Sequence, residues 1–250
     1  MPYGLYIAAE GAHAQAKRLE VIANNLANAD TPGFKRQLAI FQARYAEAIE
    51  QGEDWPGSGS INQIGGGVMV RETPTDFAPG TLERTGLPTD VALEGEGFFW
   101  VEKGQERFLT RAGNFRLSSR GELVTQQGYF VLGEDGSPIV LPQPTRPFEI
   151  NSAGQIVQGG FRRALAVVKP PSAEAVQRVG ENLFHIQGQP EPVPSAQRRL
   201  LQGFLERSGV RPALELLELI ETSRLIEANL NLMKAQDQML SGLVHRLLKV

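Results

Sequence analysis

The spacing of hydrophobic residues changes character twice along the chain. Near the start, Leu5, Ala9, Ala12, Ala16, Leu19, Ala23 and Leu26 keep the alternating four-and-three spacing of a heptad seam. That spacing predicts a helix about 40 Å long at 1.5 Å per residue. Most seam positions are alanine, so a partner helix can approach closely while each contact buries little apolar area. The predicted stop is Asn28-Ala29-Asp30-Thr31-Pro32-Gly33-Phe34. Asparagine suits a left-handed cap, and Pro32-Gly33 suits the centre of a type II turn.

The other end behaves similarly. Pro212 is well placed as a first helical residue, and a heptad frame then runs through Leu219, Ile226, Leu230, Met233, Leu240, Val244 and Leu247. Ser223 and Asp237 fill two polar slots in the same frame, where polar residues can fix helix register. This helix is expected to span roughly 55 Å. The two flanks are expected to pair in part with each other. Such a pair leaves broad faces carrying Leu216, Ile220 and Leu243, and contiguous apolar surface of that kind marks association.

Between the flanks the pattern shortens to strands. Phe98-Phe99-Trp100-Val101, Phe108-Leu109-Thr110, Asn114-Phe115-Arg116-Leu117 and Leu123-Val124-Thr125 come first. Tyr129-Phe130-Val131-Leu132, Ile139-Val140-Leu141, Phe148-Glu149-Ile150, Gln155-Ile156-Val157 and the run from Ala164 to Val168 follow. Lys103-Gly104, Arg120-Gly121 and Asp135-Gly136 supply tight turns, and this rhythm predicts an antiparallel all-β domain. Prolines 138, 142, 144 and 147 confine their segments to edges or connections. Residues 169–203, rich in proline, are expected to form a return route.

The expected fold is mixed α and β, with long N- and C-terminal helices forming a coiled-coil-like stalk and a central all-β, antiparallel domain. The expected divisions are an N-terminal helix and turn at 1–35, a flexible connector at 36–67, the β domain with its return loop at 68–203, and a C-terminal helix at 204–250. Composition sharpens these borders. Of 43 glycines and prolines in 250 residues, 36 lie within residues 51–210.

Charge and chemistry remove several functions. A net charge of −3 offers no basic footprint for nucleic acid. With no cysteine, disulfides, thiolate metal sites and cysteine nucleophiles are out. No apolar run approaches the roughly 18 residues of a membrane helix, so no direct membrane insertion is expected. The opening residues lack a basic n-region, and Glu10 and His13 break their apolar run, unlike a secretory signal peptide.

Candidate catalytic groups are scattered. His13, His185 and His245 fall in three separate predicted elements without metal-ligand spacing. Gly95-Glu96-Gly97 lacks the third glycine of a dinucleotide loop and runs into a strand, and Glu96 would repel phosphate. The acidic pairs Glu94/Glu96 and Glu134/Asp135 read as solvated turns, and Gly57-Ser58-Gly59-Ser60 as linker, not a nucleophile elbow. The successive aromatics Phe98, Phe99 and Trp100 alternate faces on a strand, which suits core packing better than a sugar platform. No catalytic, cofactor or metal residue is nominated.

The segment Arg18-Leu19-Glu20-Val21-Ile22-Ala23-Asn24-Asn25-Leu26-Ala27-Asn28, followed by Thr31-Pro32-Gly33-Phe34-Lys35, resembles the N-terminal signature of bacterial flagellar rod and hook proteins. Gly95-Glu96-Gly97-Phe98-Phe99, Thr110-Arg111-Ala112-Gly113-Asn114-Phe115 and Gly121-Glu122-Leu123-Val124-Thr125 resemble further stretches of that family. So do Gly203-Phe204-Leu205-Glu206-Arg207-Ser208 and Arg224-Leu225-Ile226-Glu227-Ala228-Asn229, so that the likeness covers nearly the whole chain. One departure is Ser208-Gly209-Val210-Arg211, where the family usually has Ser-Asn-Val-Asn. Glycine can take the left-handed conformation asparagine would, so the turn survives at the loss of a side-chain hydrogen bond. The compact length looks like a distal- or proximal-type rod protein more than the longer hook protein.

The resemblance implies a structural subunit of the rod, without cofactor, that assembles with copies of itself and with neighbouring rod and hook subunits. It also implies a place in the basal body, in the periplasmic space, reached through the flagellar type III export apparatus without a cleaved signal peptide. Together with the heptad frames it nominates an assembly interface. On the N-terminal side this comprises Leu5, Ala9, Ala12, Ala16, Leu19, Ala23, Asn24, Asn25, Leu26, Asn28, Gly33 and Phe34. On the C-terminal side it comprises Leu219, Ile226, Asn229, Leu230, Met233, Asp237, Leu240, Val244 and Leu247. The competing readings are a non-polymerising cap or chaperone-type binding module and a flagellum-associated wall-cleaving enzyme. The enzyme would need a convergent acid/base or metal site, and none is visible in the sequence.

Overall fold

Helices α1 (Tyr3–Ala27) and α2 (Pro212–Leu247) form where the heptads predict them. The computed structural model describes residues 3–45, 49, 51–55, 57, 58 and 65–247, leaving out the side chains of residues 3, 246 and 247. Pro212 opens α2, where its missing N–H costs nothing, and Glu215 in the first turn complements the helix dipole. The fold is mixed, two long helices with a central antiparallel β region. By contacts it divides into two units. One comprises residues 1–27, 37–76 and 211–250, the other residues 28–36 and 77–210.

In the first unit the helices lie antiparallel. Arg18 reaches Glu218 at 3.4 Å, Asn25 meets Glu215, Gly11 faces Asn229 and Gly4 faces Gln236. α1 also packs against a two-stranded ribbon, Ile40–Ala43 paired with Val68–Glu72. Arg44 ties the ribbon to α1 through the Tyr6 hydroxyl, 2.9 Å away, and the Glu10 carboxylate. Ile40–Ala43 falls within the segment expected to be a connector. Its Ile-Phe-Gln-Ala is too short and too exposed to leave a strand signature.

The second unit is built on one large antiparallel sheet. Phe98–Lys103 lies at its centre, with Glu106–Thr110 on one side and both Phe130–Val131 and Val167–Lys169 on the other. The expected alternation on the central strand holds. Phe99 packs against Phe115 in the main core, while Phe98 joins Phe77 and Phe184 in a second cluster of edge-on rings with centroids 5.6–5.8 Å apart. Both faces of the strand are therefore buried.

Two expectations about this unit need correction. Ile139-Val140-Leu141 is no strand. Between Pro138 and Pro142 it makes only isolated bridges, although Ile139 and Leu141 are fully buried. Residues 169–203 are more than a return route, because Val176–Gly180 and Leu183–Ile186 form a hairpin that extends the main sheet beside Glu106–Thr110. Its turn is carried by Glu181 and Asn182, both at positive φ (51° and 59°), in place of the usual glycine.

Candidate assembly elements and the buried centre of the β body

In the helix pair the contacting rows are set by small and polar residues. Gly4, Gly11, Arg18 and Asn25 on α1 recur every seven residues, and on α2 Gln236, Asn229, Thr222 and Glu215 run opposite with the same period. A Cβ on Gly11 would come within 3.3 Å of the Asn229 side chain, so glycine sets how closely the helices approach. Asn25 is almost completely buried. Its amide donates to the Gln37 carbonyl at 2.8 Å and accepts the Gln37 N–H at 2.9 Å, holding that chain as a strand neighbour would. The same amide donates to Glu215 at 3.3 Å. Three buried oxygens, on Gln15, Thr222 and Gln236, have no hydrogen-bond partner among the described residues.

The predicted seam residues lie beside this interface. The frame Leu5, Ala9, Ala12, Ala16, Leu19, Ala23, Leu26 is displaced by one residue, about 100° around the helix, from the row Gly4, Ala8, Gly11, Gln15, Arg18, Ile22, Asn25. Ala16, Ala23 and Asn24 are exposed, and the rest of that frame is half-buried. On α2, Leu219, Ile226, Asn229, Met233 and Leu240 are half-buried, while Leu230, Asp237 and Val244 are exposed. The side chain of Leu247 lies outside the described residues. Leu216, Ile220 and Leu243 are exposed, as the sequence suggests.

A further row runs along α2. Leu225, Ala228, Leu232, Ala235, Met239 and Gly242 keep heptad spacing, and every one is exposed. Leu232 and Met239 are 56% and 63% exposed, unusual for large apolar side chains in succession. Each helix thus carries two seams about 100° apart. The row joining α1 to α2 is the more polar of the two.

In the other unit the remaining family-like segments converge on one carboxylate. Phe34 N–H donates back to the Thr31 carbonyl at 3.2 Å across Pro32-Gly33, and Gly33 has φ of 66°. A Cβ on Gly33 would also be driven into the Arg111 carbonyl. Asn28 accepts the Thr31 hydroxyl at 3.1 Å, and Phe34 is buried. Lys35 then reaches inward to Glu206 at 2.7 Å and to the Ala78 carbonyl at 2.8 Å.

Arg111 approaches the other oxygen of Glu206 at 2.6 Å and donates to the carbonyls of Leu93, Gly95 and Gly97. The Gly80 N–H completes the carboxylate shell at 2.7 Å. All three charged side chains are at most 4% exposed. Burial alone pushes the Glu206 carboxyl upward, but the Arg111 guanidinium and the Lys35 ammonium hold it below the ordinary carboxylate range.

The missed hairpin grips the same turn. Arg178 stacks over the Phe34 ring at 4.2 Å and donates to the Lys35 carbonyl, and Asn182 donates to the Pro32 carbonyl at 2.9 Å. Lys35, Arg111 and Glu206 lie in recognisable motifs, yet no periodicity or spacing marks residues so far apart in the chain as a buried ionic centre. Nothing in this arrangement exposes a nucleophile or a proton donor to a cleft. Among the described residues no cluster of histidine and carboxylate is suited to a metal ion.

The correction to the Ser208-Gly209-Val210-Arg211 departure falls here. Gly209 is not in the left-handed region. Its N–H donates to the Phe34 carbonyl at 2.8 Å, and a Cβ there would stand 3.5 Å from that oxygen, in ordinary contact.

The paired helices leave an apolar row of α2 exposed, and the β body closes over a buried ionic centre. Family models match at both ends and in the middle of the chain. That of the flagella basal body rod protein matches residues 5–35, that of the flagellar hook protein FlgE/F/G D1 domain matches 92–158, and that of the flagellar basal body rod FlgEFG protein C-terminal matches 201–244. The flagellar basal-body rod protein FlgF of Caulobacter vibrioides is 31% identical over 255 residues, covering all of both chains. FlgG of Bacillus subtilis is 29% identical over 96% of this chain and 97% of its own. FlgG of Caulobacter vibrioides is 33% identical over 95% and 97%. The chain belongs to the family of flagellar basal-body rod proteins.

Proposed function

We propose that the chain is a structural subunit of the bacterial flagellar basal-body rod, assembling through its terminal helices with copies of itself and with neighbouring rod and hook subunits. Its work is mechanical, and no catalysis is assigned to it. The observation that carries this reading, beyond family membership, is the pair of seams on each helix. One seam holds α1 against α2, and the other, Leu225-Leu232-Met239 on α2, remains exposed. A head-to-tail contact that does not close on itself generates a helical tube, and a second seam on each helix supplies such a contact. In the assembled rod the helices form a coiled-coil-like stalk, with residues 1–35 and 204–250 as the assembly segments. Export through the flagellar type III route fits a chain whose helices gain their final partners only on assembly.

Electron microscopy of basal bodies from a strain lacking the chain tests the reading. A rod that stops short, restored by the wild-type chain but not by Leu225→Ser/Leu232→Ser, is expected. Complete rods in the deletion strain would sink it. A cap or chaperone-type module would instead leave the rod intact and lose only what lies beyond it.

A further inference from the structure

Residues 31–36 lie across the β body, and they are held differently from the way that body holds itself. Withdrawing Lys35 from the ionic centre leaves Glu206 still paired with Arg111 and still accepting the Gly80 N–H. One carboxylate and one guanidinium remain, a balanced pair. Removing Glu206 instead strands two cations. The centre is thus asymmetric, and its dispensable member is the one supplied by the N-terminal turn.

A second observation points the same way. The two side chains that grip the turn both carry an unsatisfied polar atom. Arg178 Nε and Asn182 Oδ1 are buried without a partner among the described residues, although Arg178 lies between the rings of Phe34 and Phe184. Burial lowers the Arg178 guanidinium to about 10. Orphaned buried groups of this kind oppose the docked state, because lifting the turn returns both to water. Burial of Phe34 and the Lys35 contacts favour it. The two tendencies meet on a segment only six residues long.

We propose that residues 31–36 form a releasable strap that lifts from the β body and returns while that body stays folded. Asn25 holds Gln37 just beyond the strap, so release exposes Phe34 and Lys35 while α1 keeps its own contacts. Release itself belongs to the isolated chain, so it stands or falls separately from the rod reading.

Amide hydrogen exchange on the full-length monomer tests it. The Gly33 N–H, bonded to the Glu206 carbonyl, and the Gly209 N–H, bonded to the Phe34 carbonyl, report on the strap. The Leu123 and Ile139 amides report on the body. The strap amides are expected to be protected at least ~100-fold less than the body amides, the signature of a local opening. Lys35→Met is expected to cost the strap amides roughly a further tenfold and to leave the body amides unchanged. Gly33→Ala, which blocks docking sterically without touching a charge, is expected to release the strap with the body still protected. Equal protection at all four amides, or loss of body protection in either variant, overturns the proposal.

Discussion

In the β body every oxygen of the buried Glu206 carboxylate is engaged, whereas in the helix pair Gln15, Thr222 and Gln236 each bury an oxygen without a partner among the described residues. The body also places its large apolar side chains inside, with Phe99, Leu109, Phe184 and Ile156 fully buried, while α2 turns Leu217, Leu232 and Met239 outward. The contrast separates a unit that buries its large apolar side chains from one that leaves apolar surface over. A polar seam fixes register at some expense of stability, and an apolar seam does the reverse. Here the internal seam is the polar one, so α1 and α2 are aligned by each other and have apolar area to spare.

The strongest way to break the comparison is to remove the anion from the body. Glu206→Gln leaves Arg111 and Lys35 buried without a counter-charge, a loss of about 3–5 kcal/mol for a broken buried pair. Thermal unfolding followed by the phenylalanine bands of near-UV circular dichroism, eleven of the twelve phenylalanines lying in the body, is expected to show that transition collapse. A loss under ~1 kcal/mol would mean water reaches the centre and the body is not the closed unit described.

Acid titration probes the same centre more gently. With its folded pKa held below 4.5, Glu206 contributes stability that is fully present above that value and is lost as pH falls through the lower folded value. Denaturation midpoints are therefore expected to be steady from neutral pH to about 5 and to decline below 4.5. In Lys35→Met the decline is expected to be shallower, because one of the two cations depressing the carboxyl is gone. An equal or steeper decline in that variant would remove Lys35 from the electrostatic account.

Much of this contrast was legible in the sequence, and the parts that were not share a cause. Heptad spacing located both helices, Pro212 marked the start of α2, and Pro32-Gly33 marked the turn that Gly33 completes at positive φ. Hydrophobicity selected the Leu/Ala frame on α1, one residue away from the row that meets α2. The row that meets α2 contains Gly4, Gly11, Arg18 and Asn25, which carry no apolar signal. Asn24 and Asn25 look equivalent in the motif, yet only Asn25 faces inward. The ionic centre joins residues 171 and 95 positions apart, a proximity that only the folded sheet creates. The hairpin at Val176–Ile186 was hidden because Glu181-Asn182 turns it without the usual glycine pair.

On the helix side the comparison is sharpened by treating the two seams of α2 oppositely. Thr222→Val removes an orphaned hydroxyl from the inner seam and is expected to stabilise the helix pair by roughly 1 kcal/mol, read from helical ellipticity against denaturant. Leu232→Ser alters only the outer seam and is expected to change monomer stability by no more than ~0.5 kcal/mol while abolishing assembly. If Leu232→Ser unfolds the monomer, or if Thr222→Val weakens it, the assignment of inner and outer seams is reversed.

The smallest expected effect concerns the joint before α2. Glycine at 209 could supply a left-handed turn, but its backbone is not left-handed and its missing Cβ has room. Gly209→Ala is therefore expected to stabilise the chain by about 0.4–1 kcal/mol, because the unfolded chain loses freedom that the folded one does not use. Gly209→Asn should gain less, since asparagine has side-chain freedom to lose. Gly33→Ala is the contrasting case, because positive φ and the Arg111 carbonyl both forbid the new methyl group. Denaturant midpoints of the three variants place them on one scale. A Gly209→Ala chain weaker than wild type would show that the joint needs a conformation open only to glycine, and that the hydrogen bond from its N–H to Phe34 is not what sets it.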